Sequence, residues 1–149
     1  ARKLLLKGNH DYWWNTAAKM NRFFAESGFS TLRILHNNCY EYGGYALCGT
    51  RGWFYEEAGD QKVFKRELIR LKAAGERPKL CFLHYPPLYQ GYRCPEIIAL
   101  LEQYGVERCY YGHLHGGSHR LAVEGRQGGV AYYLVSADYV GFRPQKICE

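Results

Sequence analysis

The chain has 149 residues, of which 47% are hydrophobic, and its formal net charge at pH 7 is +6. This length suits one domain, 1–149, or a large part of one, with enough apolar residues for a packed core. No run approaches the roughly 20 apolar residues of a membrane-spanning helix, so we expect no membrane partner. A basic surface favours anionic substrates by steering. The basic residues are scattered, however, and match no nucleic-acid-binding motif.

Hydrophobic periodicity, caps and turn residues predict the secondary structure. Helices are expected from Asn15 or Thr16 to about residue 27, between Asp60 and Gly75, and between Pro95 and Gly105. Strands are expected at residues 3–7, Leu32–Leu35, Tyr45–Cys48, Leu80–Leu83 and Cys109–Tyr111, with a closing hairpin of Leu121–Val123 and Val130–Val135. Strands that alternate with helices and end in a β-rich tail favour an α/β layered fold.

The six cysteines, at positions 39, 48, 81, 94, 109 and 148, form no Cys-x-x-Cys pair. Several lie inside apolar, strand-like runs. This pattern favours buried free thiols over a disulfide framework or a zinc site. We therefore expect a reducing, cytoplasmic location.

Three polar blocks directly follow short apolar runs. They are Gly8–Asp11 (Gly-Asn-His-Asp), Leu83–Pro86 (Leu-His-Tyr-Pro) and Gly112–His115 (Gly-His-Leu-His). In α/β folds the carboxyl ends of strands hold the ligand sites. An amide, a His-Asp pair and three further imidazoles at such ends indicate most of a metal-dependent hydrolytic centre.

The spacing within the last block supports this interpretation. His113 and His115 are two residues apart, so in extended backbone their side chains project to one side, with Cβ atoms about 7 Å apart. Such a pair can reach two metal ions that lie roughly 3.5–4 Å from each other. The flanking glycines, Gly112 and Gly116, allow the backbone to approach the site closely.

In this order, Gly8–Asp11, the strand-end His84 and Gly112–His115 resemble the last three blocks of the calcineurin-like metallophosphoesterase superfamily. The Gly49–Trp53 loop and the Ser136–Tyr139 tail are similar to a bacterial branch of predicted phosphohydrolases. The resemblance implies a layered α-β-β-α sandwich with mixed sheets. It also implies hydrolysis of phosphomonoesters or phosphodiesters with two divalent ions, Mn, Fe or Zn, and a metal-bridging hydroxide as nucleophile.

Carried over residue by residue, the resemblance assigns Asn9, His84 and His113 to the second metal and His115 to the first. His10 would face the scissile phosphate and stabilise its charge or protonate the leaving oxygen. Asp11 would accept a hydrogen bond from the other nitrogen of His10 and so fix its tautomer.

Two carboxylate blocks of that family, Asp-x-His and a metal-bridging Gly-Asp, would lie upstream of Gly8, where only seven residues stand. Gly59-Asp60 comes in the wrong order and is better explained as a helix cap. Neutral ligands cannot balance a nominal charge of +4. We therefore expect this chain to be the C-terminal two-thirds or so of a domain, lacking about 50–80 residues. Alone it would hold at most one ion and be inactive or weakly active, and its open strand edge could pair two chains into a homodimer.

Other residues support weaker hypotheses. Arg51, in a Gly-rich loop after a strand, could clamp a substrate phosphate, although the role of an ordinary surface-loop arginine is favoured. His119 could line the rim of the pocket. The resemblance implies that Asp rather than Glu at position 11 favours small phosphorylated or nucleotide substrates over phosphoproteins. The alternative function is a non-catalytic ligand- or protein-binding module on a degenerate site, and nucleic-acid binding rests on composition alone.

Overall fold

The computed structural model describes residues 1–52 and 77–148, and within these ranges the chain has an α/β fold, as predicted. The helix predicted between Asp60 and Gly75 lies outside the described residues. Helix α1 spans Ala17–Glu26 and α2 spans Pro95–Gln103, and a 3-10 helix covers Gly116–Leu121. No helix of the described residues is long and apolar enough to cross a membrane.

The two helices begin as their sequences predict. The Thr16 hydroxyl accepts a hydrogen bond from the backbone N–H of Lys19 at 3.3 Å and so caps α1. Helix α2 opens on Pro95, whose missing N–H costs nothing at the first helical position, and carries Glu96 in its first turn.

Ten strands are described: β1 Lys3–Leu5, β2 Leu32–Ile34, β3 Asn38–Tyr42, β4 Tyr45–Thr50, β5 Lys79–Leu83, β6 Leu88–Tyr89, β7 Tyr92–Arg93, β8 Val106–Tyr111, β9 Gly125–Gln127 and β10 Val130–Leu134. The main sheet is six-stranded, in the order β3-β4-β5-β8-β10-β9. Its four inner strands are parallel, and both edge strands are antiparallel to their neighbours. A separate parallel pair joins β1 to β2, and β6 and β7 form a short hairpin.

Two apolar clusters hold these layers together. Helix α2 packs Ile97 and Leu101 on one face of the main sheet, where Cys81 and Tyr132 have no exposed surface. Helix α1 packs on the β1–β2 pair instead. Its Met20 and Phe24 form a cluster with Ile34 of β2 and with Trp14, which precedes the helix. The six cysteines are free thiols, and burial raises the pKa of Cys81, so that these thiols behave as small apolar groups.

The structure differs from the prediction at the closing hairpin. Its first strand was expected at Leu121–Val123 but is β9, Gly125–Gln127. The reason is a side chain, because the Tyr111 hydroxyl donates to the carbonyl of Val123 at 2.9 Å and accepts from its N–H at 3.1 Å. The backbone at Val123 therefore finds its hydrogen bonds without a partner strand. The strands β3, β6 and β7 were also missed.

Gly49, in β4, is a point of close approach between the main sheet and the segment after β2. A Cβ atom added there would lie 2.7 Å from Leu35 Cδ2 and 2.7 Å from the carbonyl oxygen of Phe82. The leucine side chain can rotate away, but the carbonyl belongs to the neighbouring strand. We therefore expect Gly49→Ala to lower the free energy of unfolding by about 1–3 kcal/mol, measured by chemical denaturation.

Gly129→Ala is the matched control, because nothing lies within 4 Å of the added Cβ and the residue precedes β10 in an open turn. Its effect should stay within about 0.5 kcal/mol. Equal unfolding free energies for the two variants would show that the contact of Gly49 with Leu35 and Phe82 is not tightly packed.

Candidate metal centre

Four neighbouring parallel strands end at the same level of the main sheet. Their last residues pair across the sheet in the order Thr50, Leu83, Tyr111 and Leu134. Because the strands are parallel, the chain leaves all four at one edge, where α/β proteins bind their ligands. The segments that follow carry most of the polar residues singled out in the sequence.

Asn9 and His84 meet at this edge although 75 positions separate them. Asn9 Oδ1 lies 2.7 Å from His84 Nε2. Two atoms that occupy adjacent positions around one ion, each about 2.1 Å from it, lie about 3.0–3.4 Å apart. An ion could therefore bind both atoms after a shift of less than about 1 Å. Since a carbonyl oxygen only accepts, Nε2 carries the ring proton in this contact, and binding an ion would move that proton to Nδ1.

Backbone hydrogen bonds fix the strand-end position of His84. Its N–H and that of Tyr85 both donate to the carbonyl of Arg51, at 3.1 and 2.8 Å. On the other side the N–H of Gly112 donates to the carbonyl of His84 at 3.2 Å. The imidazole thus stands between the ends of β4 and β8.

The absence of a side chain at Gly8 allows the backbone of the Gly8–Asp11 block to lie close to the His84 ring. A Cβ atom there would lie 3.2 Å from Cε1 of His84 and 3.4 Å from Oδ2 of Asp11. The glycine N–H donates to that Asp11 oxygen at 2.7 Å. Any side chain at position 8 would therefore press on the imidazole and on the carboxylate.

His113 lies against the same imidazole. Its ring centroid is 5.1 Å from that of His84 and 4.7 Å from that of Tyr85, in edge-to-face arrangements. The backbone at His113 has φ of 71°, a left-handed conformation that non-glycine residues adopt only when their surroundings hold them there. Such strain is common at functional sites. The sequence-based assumption of extended backbone from His113 to His115 was wrong at this residue.

Both imidazoles are biased towards the neutral form. The pKa of His84 is lowered from 6.5 to about 4, chiefly by burial and then by the positive charge of a protonated His113, against an opposing contribution from Asp11. Burial also lowers the pKa of His113, followed by the charges of His115 and His10. A neutral imidazole is the form that binds a metal ion.

His115 is turned towards a carboxylate that the sequence analysis missed. Its Nδ1 lies 2.8 Å from Oδ1 of Asp138, and its side chain is 62% exposed. The N–H of Gly116 donates to Oδ2 of Asp138 at 2.9 Å, and His119 Nε2 lies 3.1 Å from the same oxygen. The Gly116 N–H, and then the His115 side chain, hold the pKa of Asp138 well below its usual range. In the sequence Asp138 had served only as part of a tail motif, because nothing local pairs it with His115.

His10 and Asp11 do not make the predicted contact. Among the described residues the Asp11 carboxylate accepts from Gly8 and not from His10. The turn causes this, because the N–H of Tyr12 bonds to the His10 carbonyl at 2.9 Å and so folds Asp11 back over Gly8. The His10 ring is exposed and lies edge-on to Tyr12, with centroids 6.0 Å apart.

Arg51 lies beside the candidate centre and lines a cavity of about 430 Å³. The cavity is bounded by Lys7, Trp14, Asn15, Thr16, Ala17, His36 and Arg51. The positive charge of Arg51 contributes to the lowered pKa of His84, so the basic cavity wall interacts electrostatically with this imidazole. No acidic side chain of the described residues lines the cavity.

Asn9, His84 and His113 thus form one group, with His115, His10 and Arg51 around it. Across residues 1–52 and 77–148, no three His, Cys, Asp or Glu side chains stand close enough together to hold a metal ion. The candidate ligand set therefore depends on the amide of Asn9 to complete a group of three.

The pKa of His84 gives a direct test of this environment. We expect its ring protons in the metal-free chain to titrate near pH 4, well below the ordinary 6.5, in NMR spectra. Because the folded-state pKa is the lower one, the unfolded chain binds the proton first as pH falls. The contribution of His84 to the free energy of unfolding should be fully present above pH 6.5 and should be lost as the pH falls towards 4. The free energy of unfolding of His84→Gln should decline less over this range. Titration at or above 6.5 would show an exposed ring.

A family model described as Calcineurin-like phosphoesterase matches residues 1–117. This range contains all three polar blocks and ends inside the loop that follows His115. Neither the curated proteins nor the solved structures gave a significant match. Since the family match covers well over half of the 149 residues, the chain belongs to the calcineurin-like phosphoesterase family, whose members are metal-dependent hydrolases.

Proposed function

We propose that this protein hydrolyses phosphoric esters with divalent metal ions bound at the edge of the main sheet. The observation that carries the proposal is the 2.7 Å approach of Asn9 Oδ1 to His84 Nε2, with the His113 ring beside them. Family membership supports the reaction class, and the position at four strand ends suits a ligand site.

The donor atoms suit Mn, Fe or Zn. Imidazole nitrogen binds each of these ions, and an amide oxygen is a neutral, hard ligand. We assign one ion to Asn9, His84 and His113, and a second to a site that includes His115. A bound divalent ion would polarise the phosphate and make a water molecule more acidic.

The ligands of the first ion are all neutral, so its charge is not balanced by those three side chains. A second ion nearby would add to an uncompensated nominal charge of +4. We therefore propose that the chain by itself binds one ion much more tightly than two.

Other side chains would act on the substrate. His10 is exposed beside the group, and when protonated it could stabilise the phosphate or donate a proton to the leaving oxygen. Arg51 could contact a phosphate oxygen from the basic cavity wall. Asp11 would act indirectly, since its carboxylate stabilises the turn that presents His10.

The open, basic cavity beside the group favours a small phosphorylated or nucleotide substrate over a protein. Free cysteines suit a cytoplasmic location, which is part of this proposal. The competing function, a binding module without turnover, keeps the same ligand pocket. In a binding module, however, His10 would not donate a proton to a leaving group.

Substitution of the candidate ligands tests the proposal. We expect His113→Ala and Asn9→Ala to weaken Mn²⁺ binding more than about 100-fold, because each removes a ligand atom and loss of an indirect partner already costs about 10- to 100-fold. Mn²⁺ affinity is measured by the EPR signal of the free ion. Asn15→Ala is the matched control and should bind Mn²⁺ normally, since among the described residues Asn15 Oδ1 accepts only from the neighbouring Thr16 N–H, at 3.0 Å.

His10→Ala separates an enzyme from a binding module. It should keep the Mn²⁺ affinity and lower turnover of a chromogenic phosphate ester about 10²- to 10⁴-fold. Mono- and diester substrates are both assayed. Unchanged turnover would remove the role of His10. No turnover of either ester by Mn²⁺-saturated protein that also carries the two carboxylate blocks would favour the binding module.

A further inference from the structure

The strongest unexplained feature lies beyond the residues that the family model matches. Asp138 is in the turn after β10, and its carboxylate lies within 3.1 Å of three groups of the loop that follows β8. Oδ1 lies 2.8 Å from His115 Nδ1, while Oδ2 accepts from the Gly116 N–H at 2.9 Å and lies 3.1 Å from His119 Nε2. One side chain therefore contacts the residue before the 3-10 helix, its first residue and its fourth residue.

The contact determines which nitrogen of His115 is available. A carboxylate oxygen accepts, so Nδ1 of His115 carries the proton and Nε2 of the neutral ring keeps its lone pair. No other hydrogen bond in the described part of the chain holds this ring, which is 62% exposed. Without Asp138 the ring could rotate and exchange its tautomers freely.

A second set of contacts holds Asp138 itself in place. The next residue, Tyr139, packs its ring edge-on to His119, with centroids 5.2 Å apart. Its hydroxyl donates to Oε2 of Glu124 at 2.6 Å, and Oε1 of that glutamate accepts from the N–H of Leu134 at 3.0 Å. The turn closes through the N–H of Phe142, which donates to the carbonyl of Ala137 at 2.7 Å. These contacts therefore hold the turn, and with it the Asp138 carboxylate, in position.

We propose that Asp138 is a positioning residue that holds His115 in the Nδ1–H tautomer, with Nε2 directed to the metal centre. The proposal rests on the proposed function, because it requires His115 to be a metal ligand. Histidine ligands commonly donate their second ring N–H to a carboxylate, which fixes the ring and strengthens the ligand. His119 Nε2 lies 3.1 Å from the same carboxylate, and a charge on this ring would help to hold the loop.

The tautomer can be read without metal or substrate, from two-dimensional ¹H–¹⁵N NMR spectra of the histidine rings of the whole chain above pH 7. We expect His115 to be the Nδ1–H form in the wild type and a mixture of tautomers in Asp138→Ala. Tyr139→Phe is the matched control, since it removes the hydroxyl that binds Glu124 and leaves the Asp138 carboxylate intact. It should keep the wild-type tautomer.

Mn²⁺ affinity is the second measurement. Asp138→Ala should bind the second Mn²⁺, the ion assigned to His115, about 10- to 100-fold more weakly than wild type, and Tyr139→Phe should bind it about equally well. An Nε2–H tautomer in the wild type would overturn the proposal, whether or not the alanine variant folds. So would unchanged affinity for this second ion in a folded Asp138→Ala. If the wild type bound no Mn²⁺ while the tautomer was as expected, the proposed function would fail and the contact would be structural.

Discussion

The hydrogen-bonded register of the four parallel strands is the constraint on which the rest of the site depends. The ladder places the last residues of β4, β5, β8 and β10 side by side, so their following segments begin at one edge. A slip of one residue between β5 and β8 would reverse the face of every side chain on the displaced strand. His113 would then leave His84, and Asp138 would no longer be opposite His115.

The register is itself fixed by burial. Cys81, Tyr111 and Tyr132 point to the face covered by α2 and have no exposed surface, so a slipped strand would bring polar atoms into that core. Apolar packing below the edge thus holds polar side chains at the edge. Packing also keeps the imidazoles partly out of water, which lowers the pKa of His84 and His113 and favours the neutral form that binds metal.

The parts of this structure that local sequence specifies were predictable. Thr16 caps α1, Pro95 opens α2, and the three polar blocks each follow an apolar run that is a strand or leads out of one. What could not be predicted depends on contacts between distant residues. Val123 is bonded by the hydroxyl of Tyr111, and His115 by a carboxylate 23 positions away. In the candidate site, the group of Asn9, His84 and His113 followed from the strand-end rule, whereas the left-handed backbone at His113 and the Gly8–Asp11 contact did not.

The account requires one ion to bind Asn9 and His84 together, and anomalous scattering from crystals grown with Mn²⁺ measures this most directly. We expect a manganese peak about 2.0–2.3 Å from both Asn9 Oδ1 and His84 Nε2, with His113 as a further ligand. A peak that touches neither atom, in crystals whose protein binds Mn²⁺ stoichiometrically, would contradict the proposed centre.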